Sequence, residues 1–446
     1  MNAARIAQAA AALSLAGCAA AAFAQQPAAQ AKDVVVDTPQ PAAAAASAPA
    51  SAAPVAANLP PNVPPTAARR AQAATALADL GLHLARQSAQ AQGGTRGNFV
   101  VSPYSVGATL GMLHAGATGS TAAEIAGVLE PAASGGRLLG TGLAGLPAAV
   151  KSDAASQWLS PSRIWVGRNA AAALSPVFQN RLASAYGADG ALVDFAGAPG
   201  AAQDAINQWA AGATQNRIAQ LLPPGSVKAD TRMVLTNAAY FKGQWAAPFD
   251  AARTRPAPFA APGGSREVPT MRNVVAVREG TIDNVYVLEL PFEGGGFSLL
   301  LALPPAGHTL QALENDVMGA DVAGWSAQLK PQRVVLALPK FNIAARPLRL
   351  NDALQTAGMR TAFTDAADFS GMVPGRGPAL DSAFHSAAIE VNEEGTVASA
   401  ATAAVVSAKS APAGEPPLRA FDRPFFFVLL HKPTGAPLFM GRISEP

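Results

Sequence analysis

Five histidines and one cysteine are spread over 446 residues, and their spacing builds no catalyst. A zinc hydrolase needs His-Glu-x-x-His on one helix face, a nucleophile elbow needs Gly-x-Ser-x-Gly, and a phosphate-cradling loop needs Gly-x-x-x-x-Gly-Lys. None of these occurs in the chain. His83 and His114 fall in helical patterns, where a packed or capping role fits better than a ligand role. His308 follows Pro304-Pro305 and reads as a solvated turn. His385 lies in Phe384-His385-Ser386-Ala387-Ala388-Ile389-Glu390-Val391, an alternating strand of small side chains. A histidine buried there bridges polar groups rather than abstracting protons. Glu393 and Glu394 offer an acid/base couple on paper. Neighbours on a strand point to opposite faces, however, so a hinge or a solvated edge fits them better. The chain does not read as an enzyme, and it implies no metal and no cofactor.

The most specific stretch begins at those two glutamates. Gly395-Thr396-Val397-Ala398-Ser399-Ala400-Ala401-Thr402-Ala403-Ala404-Val405-Val406-Ser407-Ala408 holds no large apolar residue, no charge and no proline, and Lys409-Ser410 closes it. Prolines return at once, at Pro412, Pro416 and Pro417. A tract of this kind is either an Ala-rich surface loop or a strand able to enter a sheet interior, where a proline would delete a ladder hydrogen bond.

Composition sets the surroundings. The chain is 50% hydrophobic and 14% charged with a net charge of +3, enough apolar material for a large core. Lys and Arg are scattered without interleaved aromatics, which argues against a nucleic-acid partner. Arg5 precedes an uncharged, Ala- and Leu-rich stretch from Ile6 to Ala24 whose apolar core is shorter than the ~20 residues of a membrane span and which closes on Ala22-Phe23-Ala24. Residues 1–24 therefore read as an export signal. Within them Leu15-Ala16-Gly17-Cys18 resembles a bacterial lipoprotein box, which would lipidate Cys18 and place the protein in the cell envelope, with Ala19 compatible with the outer membrane. Cleavage after Ala24, giving a soluble periplasmic or secreted form, is the alternative. Either way one cysteine cannot close an internal disulfide. Residues 25–68, rich in Ala, Pro, Gln and Ser, read as a disordered tether. The folded unit is expected over 69–446.

Along that unit the periodicity predicts helices over 71–91, 105–114, 120–129, 175–186, 201–222, 310–317 and 350–357. Ser120-Thr121-Ala122-Ala123-Glu124 reads as a capping sequence for the helix that follows it. Strands are expected over 98–103, 164–166, 192–195, 233–240, 286–290, 297–303, 333–339 and 425–430. Helices dominate the first half and strands the second, which argues for an α+β fold rather than a doubly wound sheet.

Several segments then resemble one family in order. Asn98-Phe99-Val100-Val101-Ser102-Pro103-Tyr104-Ser105 with Gly116-Ala117-Thr118-Gly119-Ser120-Thr121 resembles a serpin's early strand and the helices after it. Ile206-Asn207-Gln208-Trp209 resembles the helix over the family's main sheet. Leu235-Thr236-Asn237-Ala238-Ala239-Tyr240-Phe241-Lys242-Gly243-Gln244-Trp245 is similar to its most distinctive motif. Leu338-Pro339-Lys340-Phe341, Asp368-Phe369-Ser370-Gly371-Met372 and Pro437-Leu438-Phe439-Met440-Gly441-Arg442 match further signatures. The resemblance implies one domain of three β-sheets and eight or nine helices with an exposed reactive-centre loop. It places Ser102, Ser105, Asn237 and His385 in a polar cluster that controls how two central strands part, and Trp245 at the top of the sheet. It places Glu393, Gly395, Thr396, Ala398, Ala400 and Thr402 in the loop hinge.

The activity implied is suicide inhibition of a serine protease by a monomer. The protease cleaves the loop, forms an acyl-enzyme, and is carried off as the hinge inserts into the sheet. Counting from Gly395 with the family's common hinge length puts the cut at Lys409-Ser410, which suits a trypsin-like protease. A shifted register at Val406 or Ala408 would suit elastase- or subtilisin-like enzymes, and cysteine proteases are a further alternative. A non-inhibitory member acting as a binding module is the rival class. The stretch 130–160 offers only Arg137 and Lys151, too little for activation by a polyanion.

Overall fold

The computed structural model describes residues 67–91, 97–129, 150–305, 307–310, 312–313, 322–396 and 416–446. Cys18, Ala398, Ala400, Thr402, Lys409, Ser410 and the tether up to residue 66 lie outside them, while Ala67 and Ala68, expected in the tether, open the first helix. Seven α-helices are described: α1 (Ala67–Ala91), α2 (Pro103–Gly116), α3 (Gly119–Leu129), α4 (Pro176–Tyr186), α5 (Pro199–Ala213), α6 (Trp325–Gln328) and α7 (Asn351–Thr356). The strands in chain order begin with β1 (Phe99–Val101), β2 (Ser156–Leu159), β3 (Ser162–Gly167), β4 (Asp189–Val193), β5 (Met233–Gln244) and β6 (Arg255–Ala261). They continue with β7 (Gly264–Ile282), β8 (Val285–Pro291), β9 (Phe297–Leu303), β10 (Lys330–Pro339), β11 (Phe341–Ile343) and β12 (Leu348–Arg349). The last are β13 (Ser382–Val391), β14 (Gly395–Thr396), β15 (Leu418–Ala420), β16 (Phe425–His431) and β17 (Ala436–Ile443).

These strands make two hydrogen-bonded networks. The main sheet runs β11-β13-β5-β3-β4, with β12 on β13 and with β2 and β14 on β5. The second runs β1-β17-β16-β9-β8-β7-β10-β15, with β6 on β7. The third sheet implied by the resemblance is continuous with the second through β7. That strand pairs with β6 from Gly264 to Thr270, with β10 from Thr270 to Glu279, and with β8 from Arg278 to Ile282.

β5 is the centre of the main sheet, and its Met233–Phe241 run is buried at every position. A strand covered on both faces carries apolar or small residues throughout rather than alternating. Val234 packs with Trp165, Val193, Phe384 and with Ala202, Ile206 and Ala210 of α5, so α5 covers one face. Met233, Leu235, Ala239 and Phe241 enter the main core with the second sheet. On the α5 side β5 lies next to β3, whose Arg163 pairs with Asp189 and lies 5.1 Å from the ring centroids of both Trp165 and Trp209.

The helix expected over 201–222 stops at Ala213. The Thr214 hydroxyl donates to the Ala210 carbonyl (2.7 Å) and accepts from the Ile218 amide (3.1 Å). Gln215 and Asn216 then turn left-handed, at φ 52° and 61°. Asn207 holds the returning chain, accepting from the amides of Leu221 and Leu222 (2.9 and 2.8 Å) and donating to the Leu222 carbonyl (3.1 Å). The capping sequence at Ser120 also works differently. α3 begins at Gly119, and Glu124 accepts instead from the amides of Arg360 and Thr361 and from the Thr361 hydroxyl. Its carboxylate therefore caps the short turn Thr361–Phe363 across the fold.

Gly441 fixes how closely the second sheet packs on itself. A Cβ there would stand 2.3 Å from the Phe99 carbonyl oxygen and 2.5 Å from the Phe427 ring. Gly441→Ala should therefore lower stability by about 1–3 kcal/mol, seen as an earlier denaturant midpoint, because the backbone oxygen cannot move aside as a side chain would.

Candidate functional site

β5 and β13 are parallel neighbours from Val234–Ser382 to Tyr240–Ala388, and no helix or loop separates them. Their main side-chain link on the core face is His385. Its Nε2 accepts from the Ser102 amide at 3.0 Å, so that nitrogen carries a lone pair and the proton sits on Nδ1. Nδ1–H donates to Asn237 Oδ1 at 2.6 Å. The imidazole thus ties β13 to β5 and to the first turn of α2, where the Ser102 hydroxyl caps the helix through the Ser105 amide (3.1 Å).

The network runs on from Asn237. Its Nδ2 donates to the Ser162 hydroxyl (2.9 Å), which lies 2.8 Å from the Thr109 hydroxyl. Thr109 in turn donates to the Ser105 carbonyl (2.7 Å), and the Ser105 hydroxyl pairs with that of Ser160 (2.6 Å). Ser102, Ser105, Thr109, Asn237 and His385 are all buried. Full burial drives the His385 pKa down to about 3, so the ring is neutral across the physiological range. Protonation would put a hydrogen on Nε2 directly facing the Ser102 N–H.

Above Tyr240–Ala388 the two strands diverge, and the chain leaving β13 turns back into the opening. Trp245 is buried and stacks on Phe292, with ring centroids 4.4 Å apart and 17° between planes. Its Nε1 donates to the Asn392 carbonyl and its amide to the Glu394 carbonyl, both at 2.9 Å. The Asn392 side chain accepts from the amides of Glu394 and Gly395 (3.1 and 3.2 Å), which closes a tight turn. Gly395 and Thr396 then pair antiparallel with Gln244 and Gly243 of β5. The Gly243 amide donates to the Thr396 hydroxyl at 2.8 Å. Gly395 has φ 153°, and a Cβ there would fall 1.9 Å from the Gly243 carbonyl oxygen, so only glycine fits.

Glu393 is not at a solvated edge. Its carboxylate pairs with Lys340 at 2.8 Å and accepts from the Thr254 hydroxyl at 2.8 Å. Burial works to raise its pKa, but the hydrogen bonds from Lys340 and Thr254 outweigh it and hold the group below the ordinary carboxylate range. The two glutamates also do not act as a pair. Among the described residues Glu394 has no ion-pair partner, and its buried Oε2 has no hydrogen-bond partner.

The structure therefore brings Ser102, Ser105, Asn237 and His385 together under the strand pair. It gathers Trp245, Glu393, Gly395 and Thr396 at the opening above. Thr109, Ser160 and Ser162 complete the lower cluster, and Asn392, Gly243, Thr254, Lys340 and Phe292 complete the upper one. Lys340 stands in one of the motifs quoted above, and Asn392, a turn-favouring residue type beside the glutamates, carried a signal that the sequence reading did not use. The hydroxyls of Thr109, Ser160 and Ser162 had no distinguishing signal. Among the other histidines, His83 bonds the Ala353 carbonyl at 2.9 Å in a packed role, and His308 is exposed.

Residues 75–446 match the family model Serpin (serine protease inhibitor), and the chain belongs to that family. A serpin-like protein of Thermococcus kodakarensis is 34% identical over 358 residues, covering 79% of this chain and 82% of the relative. Human glia-derived nexin is 34% identical over 359 residues, covering 78% and 88%. Among solved structures, Serpin48 of the insect Tenebrio molitor superposes with a TM-score of 0.73 at 29% identity, over 83% of this chain and 97% of that one. As a member of a family of protease inhibitors, the chain is not itself an enzyme.

The neutral ring has a consequence for pH. His385 titrates near 6.5 when unfolded and near 3 when folded, so between those values the unfolded chain binds the extra proton. Its contribution is complete above pH 6.5 and is lost as pH falls toward 3. The unfolding midpoint should therefore drop as pH is lowered from 7 to 4.5, above the range where most carboxylates titrate. His385→Gln should make that slope shallower, with His431, which burial drives down to about 4, and His114, also lowered by burial, supplying the remainder; an unchanged slope would remove His385 as a source.

Proposed function

We propose that the protein is an irreversible inhibitor of serine proteases with trypsin-like specificity, acting by loop cleavage at Lys409-Ser410 and insertion of the loop into the main sheet. The protease's serine oxygen forms an ester with the Lys409 carbonyl carbon. The Lys409–Ser410 amide breaks, and Ser410 leaves as an amine carrying the proton taken from that serine. If the hinge enters the sheet before water hydrolyses the ester, the protease remains bound as the acyl-enzyme.

The observation that carries this reading is the pairing of Gly395–Thr396 with β5 in the mouth between β5 and β13. Continued downward, the same register would set Ala398, Ala400, Thr402 and Ala404 opposite Phe241, Ala239, Asn237 and Leu235. That face is the core face, and each of these loop residues is small and uncharged, so burial carries no charge-desolvation cost. Thr402 would arrive beside Asn237 and His385 and could replace the hydrogen bond that parting the strands must break. β5 offers partners as far as Val406, opposite Met233. Residues 396–409, on the order of 45 Å when extended, thus supply the whole strand and leave Lys409 beyond its end.

We infer also that residues 1–24 direct export and that Cys18 takes a lipid anchor in the cell envelope. Labelled fatty acid incorporated into the wild-type protein but not into Cys18→Ala is the expected result.

With trypsin the purified protein should give an SDS-resistant conjugate and a released fragment beginning at Ser410. Lys409→Ala should abolish conjugate formation with trypsin, and unchanged inhibition would remove this assignment of the bond. Thr396→Arg should turn the inhibitor into a substrate that is cleaved without conjugate, because a charge would have to enter a site that is fully buried. Normal inhibition by that variant would mean that insertion does not pass through Thr396.

A further inference from the structure

The loop offers a trypsin-like protease one basic residue, and a second stands just beyond it. Between Thr396 and Leu418 the sole Lys or Arg is Lys409, yet Leu418-Arg419-Ala420 follows directly. Arg419 suits an acidic specificity pocket at least as well as a lysine does, because a guanidinium pairs bidentately with a carboxylate. Its setting is also that of a substrate. Leu418–Ala420 is extended as β15, the outer strand of the second network among the described residues, and Leu418 is 50% exposed. Three residue pairs with β10 hold the strand. They are flanked by the Val335 amide on the Pro417 carbonyl (3.0 Å) and the Phe421 amide on the Ala337 carbonyl (2.9 Å).

The side chain of Arg419 is already engaged, however. Its Nε donates to Glu279 Oε2 at 2.7 Å and its Nη2 to Glu279 Oε1 at 2.9 Å, a two-point pair. Glu279 projects from β7 with its side chain only 12% exposed, and Tyr286 of β8 donates its hydroxyl to the same carboxylate. The Arg419 guanidinium also lies 5.8 Å from the centre of the Tyr286 ring. Glu279 thus presents Arg419 with the bidentate carboxylate that a protease pocket would offer it. The same contact fastens β15 to β7 and β8, in addition to its backbone pairing with β10.

We infer that Glu279 is a specificity-determining residue: it withholds Arg419 from the protease and leaves Lys409 as the one bait. The inference rests on the loop-cleavage reading above. The choice of bond decides the outcome of each encounter. A cut after Arg419 would put the ester at the far end of Ser410–Arg419, ten residues past Lys409 and well beyond the strand that β5 can pair. Insertion would then leave a slack stretch between sheet and protease. The Ala420 amine leaves with the proton of the protease serine. Water then attacks the ester, forms the Arg419 carboxyl group and returns a proton to that serine. The inhibitor is consumed and the protease goes free.

The test incubates the full-length protein with trypsin and identifies the fragments released at early times by mass. The wild type should release a fragment beginning at Ser410 and almost none beginning at Ala420. Glu279→Gln keeps the size of the side chain and removes its charge. It should raise the initial rate of cleavage after Arg419 by roughly ten-fold, the scale of a lost charge-assisted pair, and lower the yield of conjugate. Adding Arg419→Gln to Glu279→Gln removes the second basic residue and should restore the wild-type yield of conjugate, which a misfolded Glu279→Gln would not allow. Arg419→Gln alone should inhibit as the wild type does. Three results would each overturn the role of Glu279 while cleavage at Lys409 still stands. They are equal release of both fragments from the wild type, no gain of the Ala420 fragment in Glu279→Gln, and a double variant as poor as the single one. If the wild type releases no fragment beginning at Ser410, the assignment of Lys409 fails and this inference falls with it.

Discussion

The parallel pairing of β5 with β13 is the joint on which the rest of the structure depends. Seven residue pairs hold it, and the polar link at its centre is one neutral imidazole shared among Ser102, Asn237 and β13 itself. A covalent or fully interdigitated joint in that place would make the sheet permanent. A hydrogen-bonded one can be exchanged for equivalent bonds to another strand at little net cost, because a net hydrogen bond is worth only ~1 kcal/mol when a replacement partner is available. On the insertion reading proposed above, a buried polar cluster suits a sheet that opens, where an apolar cluster of the same volume would offer an incoming threonine nothing.

Around that joint the two clusters divide the work. The lower one bonds β13 to β5 and to α2 through a His385 that is deprotonated. The upper one starts a strand in the gap, using the Asn392 turn, the glycine that alone fits beside Gly243, and a Thr396 hydroxyl bonded to the Gly243 amide. The Lys340 and Thr254 contacts hold Glu393 in place just before that turn into β14. On the opposite face α5 and the returning chain clasped by Asn207 complete the enclosure.

Much of this was legible in the sequence because local chemistry and global packing agree. The all-buried run from Met233 to Tyr240, the alternating strand around His385 and the Pro-free loop each stand out locally. What was not legible has physical causes. The β6–β7 hairpin carries Pro256, Pro258 and Pro269 and sends Arg266, Glu267 and Arg272 outward, which obscures its period of two. The helix over 201–222 looked continuous because Gln215 and Asn216 are neither glycine nor proline, and only their tertiary fastening makes the left-handed turn tolerable. Glu124 was read as a cap for its own helix, and its actual partners come from a distant turn. Thr109, Ser160 and Ser162 are ordinary hydroxyl residues that acquire a role only when the fold stacks them under Asn237.

The central claim is that the uncleaved sheet is one strand short of its most stable form. The direct measurement is the unfolding transition of the protein before and after a single cut in the loop, made with a protease that is then removed. Insertion predicts that the cleaved protein unfolds at a far higher temperature than the intact one, since a complete central strand has been added to the main sheet. An unchanged or lower transition in the cleaved protein would contradict the account.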